Sequence, residues 1–357
     1  MSTTPSLSAN QAVRDQRIEE VVPLATPALL LHEHPLPPDR EEDVLASRRE
    51  ITGILDRDDP RLLVIVGPCS VHDPEAALDY AGRLAELAAE LPELLIAMRV
   101  YFEKPRTTTG WKGLINDPHL DGSGDVNKGL RDARELLLHI LGLGLPIGCE
   151  FLDPITPQYI ADTVAWGAIG ARTTESQTHR QLASGLSMPI GFKNRTDGNI
   201  GVAVDAVRAA GAQHSFAGVD LSGTSAILHT RGNPDSHIIL RGGRGATNYD
   251  PESIGATLES LRAVDLPERV IVDASHDNSG KDHERQPQVA AAIGEQLAGG
   301  EGAIVGVMLE SFLEPGRQDI SPELTYGQSV TDKCMGWEAT VDVLTELNRA
   351  TAERRSG

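Results

Sequence analysis

From Leu62 onward the chain repeats one pattern: an apolar run, a polar or charged tip, then a segment with helical periodicity. The apolar runs are Leu62–Val66, Leu94–Phe102, Pro146–Phe151, Trp166–Ala171, Pro189–Phe192, His237–Leu240, Val270–Ala274 and Ala303–Leu309. They are continuously apolar rather than alternating, as expected of parallel strands buried on both faces. Eight strand-then-helix units in about 280 residues predict a (β/α)8 TIM barrel. An open doubly wound sheet would carry a glycine fingerprint after its first strand, and Gly67-Pro68-Cys69-Ser70 does not match one. The barrel is therefore expected over residues 61–350, with residues 1–60 as an N-terminal extension outside the repeat.

Local signals support this division. Asp73 before Pro74-Glu75 caps a helix whose Ala77, Ala81, Leu84, Ala88 and Leu91 fall on one stripe. Residues 116–124 form a Gly- and Asp-rich connection long enough to read as a lid. Two short β-like runs, Phe216–Asp220 and Ser225–Thr230 around Ser222-Gly223, interrupt the rhythm as an inserted hairpin over residues 215–231, before strand six. Residues 1–36 are polar and dotted with proline, and Pro38–Leu55 reads as a helix with Asp39 as its cap. His32 and His34 lack a metal-ligand spacing.

The formal net charge is -20. Phosphate backbones and anionic lipid select basic faces, so neither nucleic acid nor membrane is an expected partner. No apolar run reaches membrane-spanning length and no leader is recognised, so the expected location is the cytoplasm. The 3 cysteines, Cys69, Cys149 and Cys334, have no C-x-x-C spacing and are expected to be reduced.

Against that acidic background, Arg99, Lys104, Arg106 and Lys112 crowd the end of the second strand. Other strands end likewise, in Arg172, Lys193 and Arg241. A barrel brings all eight strand ends to one face, so these cations should meet in one mouth, where a small polyanion such as a phosphorylated carboxylic acid would neutralise them. The same tips deliver Cys69, His276 and Glu310, with Asp332 from the last loop. Thiolate, imidazole and carboxylates suit Mn²⁺, Fe²⁺, Co²⁺ or Zn²⁺ better than Mg²⁺ or Ca²⁺.

The stretches Gly67–His72, Met98–Thr108, Gly110–Asp117, Gly170–Ser176, Gly191–Asn194, Ile238–Gly243 and Asp273–His276 closely resemble the type I 3-deoxy-D-arabino-heptulosonate 7-phosphate (DAHP) synthases. This resemblance implies condensation of phosphoenolpyruvate with erythrose 4-phosphate, the entry step of the shikimate pathway and of aromatic amino acid biosynthesis. Carried over motif by motif, it implies metal ligands at Cys69, His276, Glu310 and Asp332. It puts phosphoenolpyruvate at Arg99, Lys104, Arg172, Lys193 and Arg241, and the erythrose phosphate at Arg106 and Thr107. Lys104 and His276 are the implied catalytic residues, with Lys104 expected to shuttle a proton from a lowered pKa. Arg195, Ala274 and Asp277 depart from the usual pattern. The extension and the hairpin resemble the additions of the feedback-regulated subtype, which implies an aromatic amino acid effector acting through a homodimer or homotetramer. Phe216-Ala217-Gly218 and Gly232–Asp235 resemble tyrosine-sensitive members. Synthases that use arabinose 5-phosphate carry Lys-Ala-Asn-Arg where this chain has Lys104-Pro-Arg-Thr107. A non-catalytic, ligand-binding paralogue is the alternative from another class.

Overall fold

The computed structural model describes residues 14–356. Eight parallel strands close into a barrel: β1 (Leu62–Gly67), β2 (Leu94–Arg99), β3 (Ile147–Glu150), β4 (Trp166–Ile169), β5 (Ile190–Lys193), β8 (His237–Leu240), β9 (Val270–Asp273) and β10 (Ile304–Glu310). β1 shuts the barrel by pairing with β2 on one side and β10 on the other, Gly67 opposite Glu310. The missing pair, β6 (Ser215–Val219) and β7 (Ser225–His229), is the antiparallel hairpin expected before the sixth barrel strand. β2 ends at Arg99 rather than Phe102, because the chain turns there into the loop that carries Lys104.

Side chains alternate between two apolar layers, as a pleated strand requires. Leu62, Val64 and Val66 face the surrounding helices, among them α3 (Pro74–Glu90), whose cap Asp73 accepts from the amides of Glu75 and Ala76. Leu63 and Ile65 point inward with Ala97, Trp166, Ile239, Ile271 and Met308. That interior layer includes Ile51, Ile54 and Leu55 from α2 (Pro38–Asp56). The second half of α2 therefore shares a core with the barrel interior, although sequence order puts it outside the repeat. Its N-cap is Pro37 with no side-chain cap, and Asp39 lies instead in the first turn, where its charge still favours the helix dipole.

The start of the chain is tied to the barrel by polar contacts. Buried Arg134, on α4 (Val126–Gly142), donates to both carboxylate oxygens of Asp162 at 2.7 and 2.8 Å, to the Tyr159 carbonyl at 2.9 Å and to the His34 carbonyl at 2.7 Å. Ala25 is held by the Asn127 side chain and by the Tyr159 hydroxyl. The amide of Ala28, in α1 (Pro27–Glu33), donates to Leu221 at the hairpin turn.

The loop after β2 doubles back so that the Lys104 amide meets the Lys112 carbonyl at 2.8 Å. Gly113 is needed there: its φ is +116°, and a Cβ would lie 1.9 Å from the Phe102 oxygen. Glu103 clamps this loop from below, accepting from the amides of Leu152 and Asp153 and from the Thr156 hydroxyl at 3.2–3.4 Å. Burial, reinforced by the Asp153 charge, pushes its carboxyl up to about 8.

Two outcomes follow from these ties. Arg134→Ala strands the Tyr159 and His34 carbonyls and removes the partner of Asp162, which keeps some access to water. Urea unfolding should register a loss of about 3 kcal/mol, and a loss near zero would show the pair to be replaceable. Glu103 holds its proton up to about pH 8 when folded but only to about 4.5 when unfolded. The folded state therefore binds more protons in that window and stability drains as pH rises through it. Glu103→Gln should melt with wild type near about pH 6 and above it by about pH 9; a mutant disadvantage that widens with pH would reverse this sign.

Candidate active site

The C-terminal strand ends converge on a cleft lined by Arg99, Lys104, Glu150, Arg172, Lys193, Arg241, His276, Glu310 and Asp332, among others. Arg99, Glu150, Lys193 and Glu310 are the last residues of β2, β3, β5 and β10, and Arg241 follows β8. Their approach is a consequence of barrel closure, since hydrogen-bonded partners here lie far apart in sequence, Arg99 and Glu310 by 211 positions and Lys104 and Asp332 by 228.

The charges in this mouth are compensated more fully than the sequence suggests. Arg99, 1% exposed, donates to Glu310 Oε1 at 3.0 Å and to the carbonyls of Cys69 and Pro68, with its guanidinium 3.6 Å above the Tyr101 ring. Lys193 meets Asp273 at 2.8 Å and Arg241 pairs with Asp277. Glu103 instead accepts from backbone amides and the Thr156 hydroxyl, and Glu175 pairs with Arg195. Arg172 donates to the Pro105 carbonyl at 3.0 Å and stays exposed. Arg106 and Thr107 are exposed on the loop and do not line the cleft, and Arg106 packs against Gly110. Arg195 also lies outside the lining.

On the β1 and β10 side, one ligand atom each from Cys69, Glu310 and Asp332 lies within 4.8 Å of the others. His276 borders this trio, its Nε2 3.8 Å from Glu310 Oε1. Lys104 reaches into the trio from the loop, its Nζ 2.6 Å from Cys69 Sγ and 3.0 Å from Asp332 Oδ2. An ammonium already stands where thiol and carboxylates converge, so the donor set fits a cation. Burial and the Glu310 charge push the Cys69 thiol up to about 12, whereas Lys104 holds Asp332 well below the usual carboxylate range. The expected lowering of the Lys104 pKa is not found. Burial does act against its charge, but Cys69, Asp332 and Glu310 outweigh it and raise the ammonium above the ordinary lysine range.

Sequence reading passed over several lining groups: Lys281, Lys333, Ser275 and Gln286. It also passed over Asp273, which is wholly buried. Burial opposes its charge, but His276 and Lys193 hold its carboxyl well below the usual range. Its signal was available as an acid ending an otherwise apolar strand, Val270-Ile-Val-Asp273.

Comparison with known proteins bears on what this cleft does. The profile of the DAHP synthetase I family matches residues 40–345. A phospho-2-dehydro-3-deoxyheptonate aldolase of Corynebacterium glutamicum is 54% identical over 100% of this chain and 99% of its own length. The Phe-sensitive form from Escherichia coli is also 54% identical, covering 96% of this chain and 98% of the relative. The solved structure of the Francisella tularensis protein of the same name superposes with a TM-score of 0.93 at 50% identity, over 95% of this chain and 99% of that one. With a profile spanning most of the chain and relatives matched end to end, this chain belongs to the DAHP synthetase I family.

Proposed function

We propose that this chain condenses phosphoenolpyruvate with D-erythrose 4-phosphate and water, giving 3-deoxy-D-arabino-heptulosonate 7-phosphate and phosphate, the first step of the shikimate pathway. Five cations, Arg99, Lys104, Arg172, Lys193 and Arg241, converge with a thiol and two carboxylates in one cleft, and this convergence carries the proposal. No group that the chemistry requires is missing from the chain, so a ligand-binding role without turnover is disfavoured.

Cys69, His276, Glu310 and Asp332 would hold a divalent cation, Mn²⁺, Fe²⁺, Co²⁺ or Zn²⁺, the thiol favouring a borderline ion over Mg²⁺. When bound, it would supply Lewis acidity to the aldehyde of the aldose. The cations Arg99, Arg172, Lys193 and Arg241 hold the carboxylate and phosphate of phosphoenolpyruvate, bidentate where the partner is an arginine. Arg106 and Thr107, exposed on the rim, serve the erythrose phosphate. A bond forms between the third carbon of phosphoenolpyruvate and the aldehyde carbon. Water oxygen adds at the second carbon, and phosphate departs from it. Lys104, kept protonated by its raised pKa, is the proton source: its Nζ gives a proton to the former aldehyde oxygen as negative charge develops there, and takes back the proton released when water adds at the second carbon.

Regulation by an aromatic amino acid is part of the same proposal. A second groove runs between the hairpin and the helical segments beside it, lined by Phe216, Leu228, Pro154, Gln158, Leu182 and Ser184 among others. Val21 and Val22 in the arm and Leu221 and Ile227 in the hairpin expose 53–81% of their surface, which favours self-association as a homodimer or homotetramer. Phe216–Gly218 and Gly232–Asp235 favour tyrosine as effector; relatives at 50–54% identity include Phe-, Trp- and Tyr-sensitive forms, so their names do not choose among the aromatic amino acids.

Loss of phosphoenolpyruvate absorbance tests the reaction. Consumption should require erythrose 4-phosphate rather than arabinose 5-phosphate, vanish after EDTA treatment and return with Mn²⁺; no consumption under any metal would overturn the assignment. Removing residues 1–24, which keeps the Ala25 anchor, should reduce the oligomer and abolish amino acid inhibition while turnover persists. Undiminished inhibition would exclude the arm from regulation.

A further inference from the structure

We infer that Asp273 is a positioning residue that fixes the tautomer of His276 and couples it, through a single carboxylate oxygen, to the anion-binding Lys193; this rests on the roles proposed above for His276 and Lys193. The carboxylate is fully buried at the end of β9, beneath the floor of the cleft, and four donors converge on it. Oδ1 accepts from the Ser275 amide at 3.0 Å and the Ser275 hydroxyl at 2.6 Å. Oδ2 accepts from Lys193 Nζ at 2.8 Å and lies 2.9 Å from His276 Nδ1.

Counting protons decides the tautomer. An ionised carboxylate only accepts, so the Ser275 hydroxyl proton is committed to Oδ1. Ser275 Oγ also lies 2.7 Å from His276 Nδ1, and with its own proton spent it can only accept there. Both neighbours of Nδ1 are thus acceptors, which puts the imidazole proton on Nδ1 and leaves the Nε2 lone pair free. That nitrogen is the one facing Glu310. His276 has φ +46°, a left-handed conformation, and the double grip on Nδ1 keeps its ring turned toward the thiol and carboxylates.

Oδ2 is shared, and sharing couples the two sites. An anion that draws Lys193 toward the cleft leaves more of the charge on Oδ2 to the imidazole, which makes Nε2 a stronger donor. Binding at either site then strengthens the other by the same factor. Asparagine cannot substitute. All four contacts to Asp273 are donors, so an amide must turn its NH2 toward Ser275 or toward the Lys193 and His276 pair, whichever way it is flipped.

The test uses Asp273→Asn, backed by Ser275→Ala, with two readouts. In metal-free protein, ¹⁵N shifts of the His276 ring should report the Nδ1-protonated tautomer in wild type and a mixture or reversal in Asp273→Asn. In EDTA-stripped enzyme, Mn²⁺ titration followed by the free-ion EPR signal should give a Kd raised about 10- to 100-fold in the variant. Phosphoenolpyruvate should tighten Mn²⁺ in wild type and lose that effect in the variant. A folded variant with wild-type ¹⁵N shifts and Mn²⁺ affinity would overturn the inference. If Asp273→Asn does not fold, Ser275→Ala and wild type decide together: Ser275→Ala leaves Asp273 Oδ2 as the acceptor for Nδ1, so the Nδ1-protonated tautomer should persist, and a proton on Nε2 in either protein would overturn the inference. A wild-type chain that shows the Nδ1-protonated tautomer yet binds no Mn²⁺ would overturn the metal proposal and leave the positioning role supported.

Discussion

Like charges brought together inside a protein must be compensated, and the mouth of this barrel is built around that requirement. Seven cations line the cleft: Arg99, Lys104, Arg172, Lys193, Arg241, Lys281 and Lys333. In a medium less polar than water their mutual repulsion is poorly screened. Four of them stand against carboxylates: Glu310 and Asp273 end strands, Asp277 lies just beyond β9, and Asp332 comes from the long loop after β10. Barrel closure makes this possible, because each strand end finds the others across the axis at fixed register.

These internal pairs are in position to be exchanged. Arg99 and Lys193 are almost wholly buried against their partners, so the folded protein holds its anion-binding groups oriented before any substrate arrives. Orientation in advance is what makes such dipoles and charges effective toward developing charge. The exposed cations, Arg172, Lys281 and Lys333, supply net positive charge at the rim of a protein whose total is -20. That local inversion of sign draws a small anion into the cleft while the outer surface repels larger ones.

The elements outside the repeat are tied in by the same economy of buried polar groups. Arg134 gathers three segments around one guanidinium, and Glu103 joins the Lys104 loop to the amides that follow β3. The hairpin meets the barrel through the groove beside Pro154 and Leu182, and meets the N-terminal arm through the Ala28 to Leu221 hydrogen bond. The active-site loop, the groove wall and the arm are thus neighbours, although residues 28 and 221 are remote in sequence.

By itself the sequence determined the elements and the chemical character of their ends. Continuous apolar runs can satisfy burial on both faces only as parallel strands, and the identities of Cys69, Lys193 or Glu310 at their tips need no structure to be read. The capping of α3 by Asp73 was legible for the same reason: it is decided within a few residues. Tertiary structure decided every property that depends on distance between remote positions. It chose which carboxylate meets which cation, and it reversed the sign of the Lys104 pKa shift by seating the ammonium among Cys69, Asp332 and Glu310. It made α2 part of the barrel interior and gave Asp273 its four donors. Periodicity says which face a residue takes, but only closure of the barrel sets what stands opposite it.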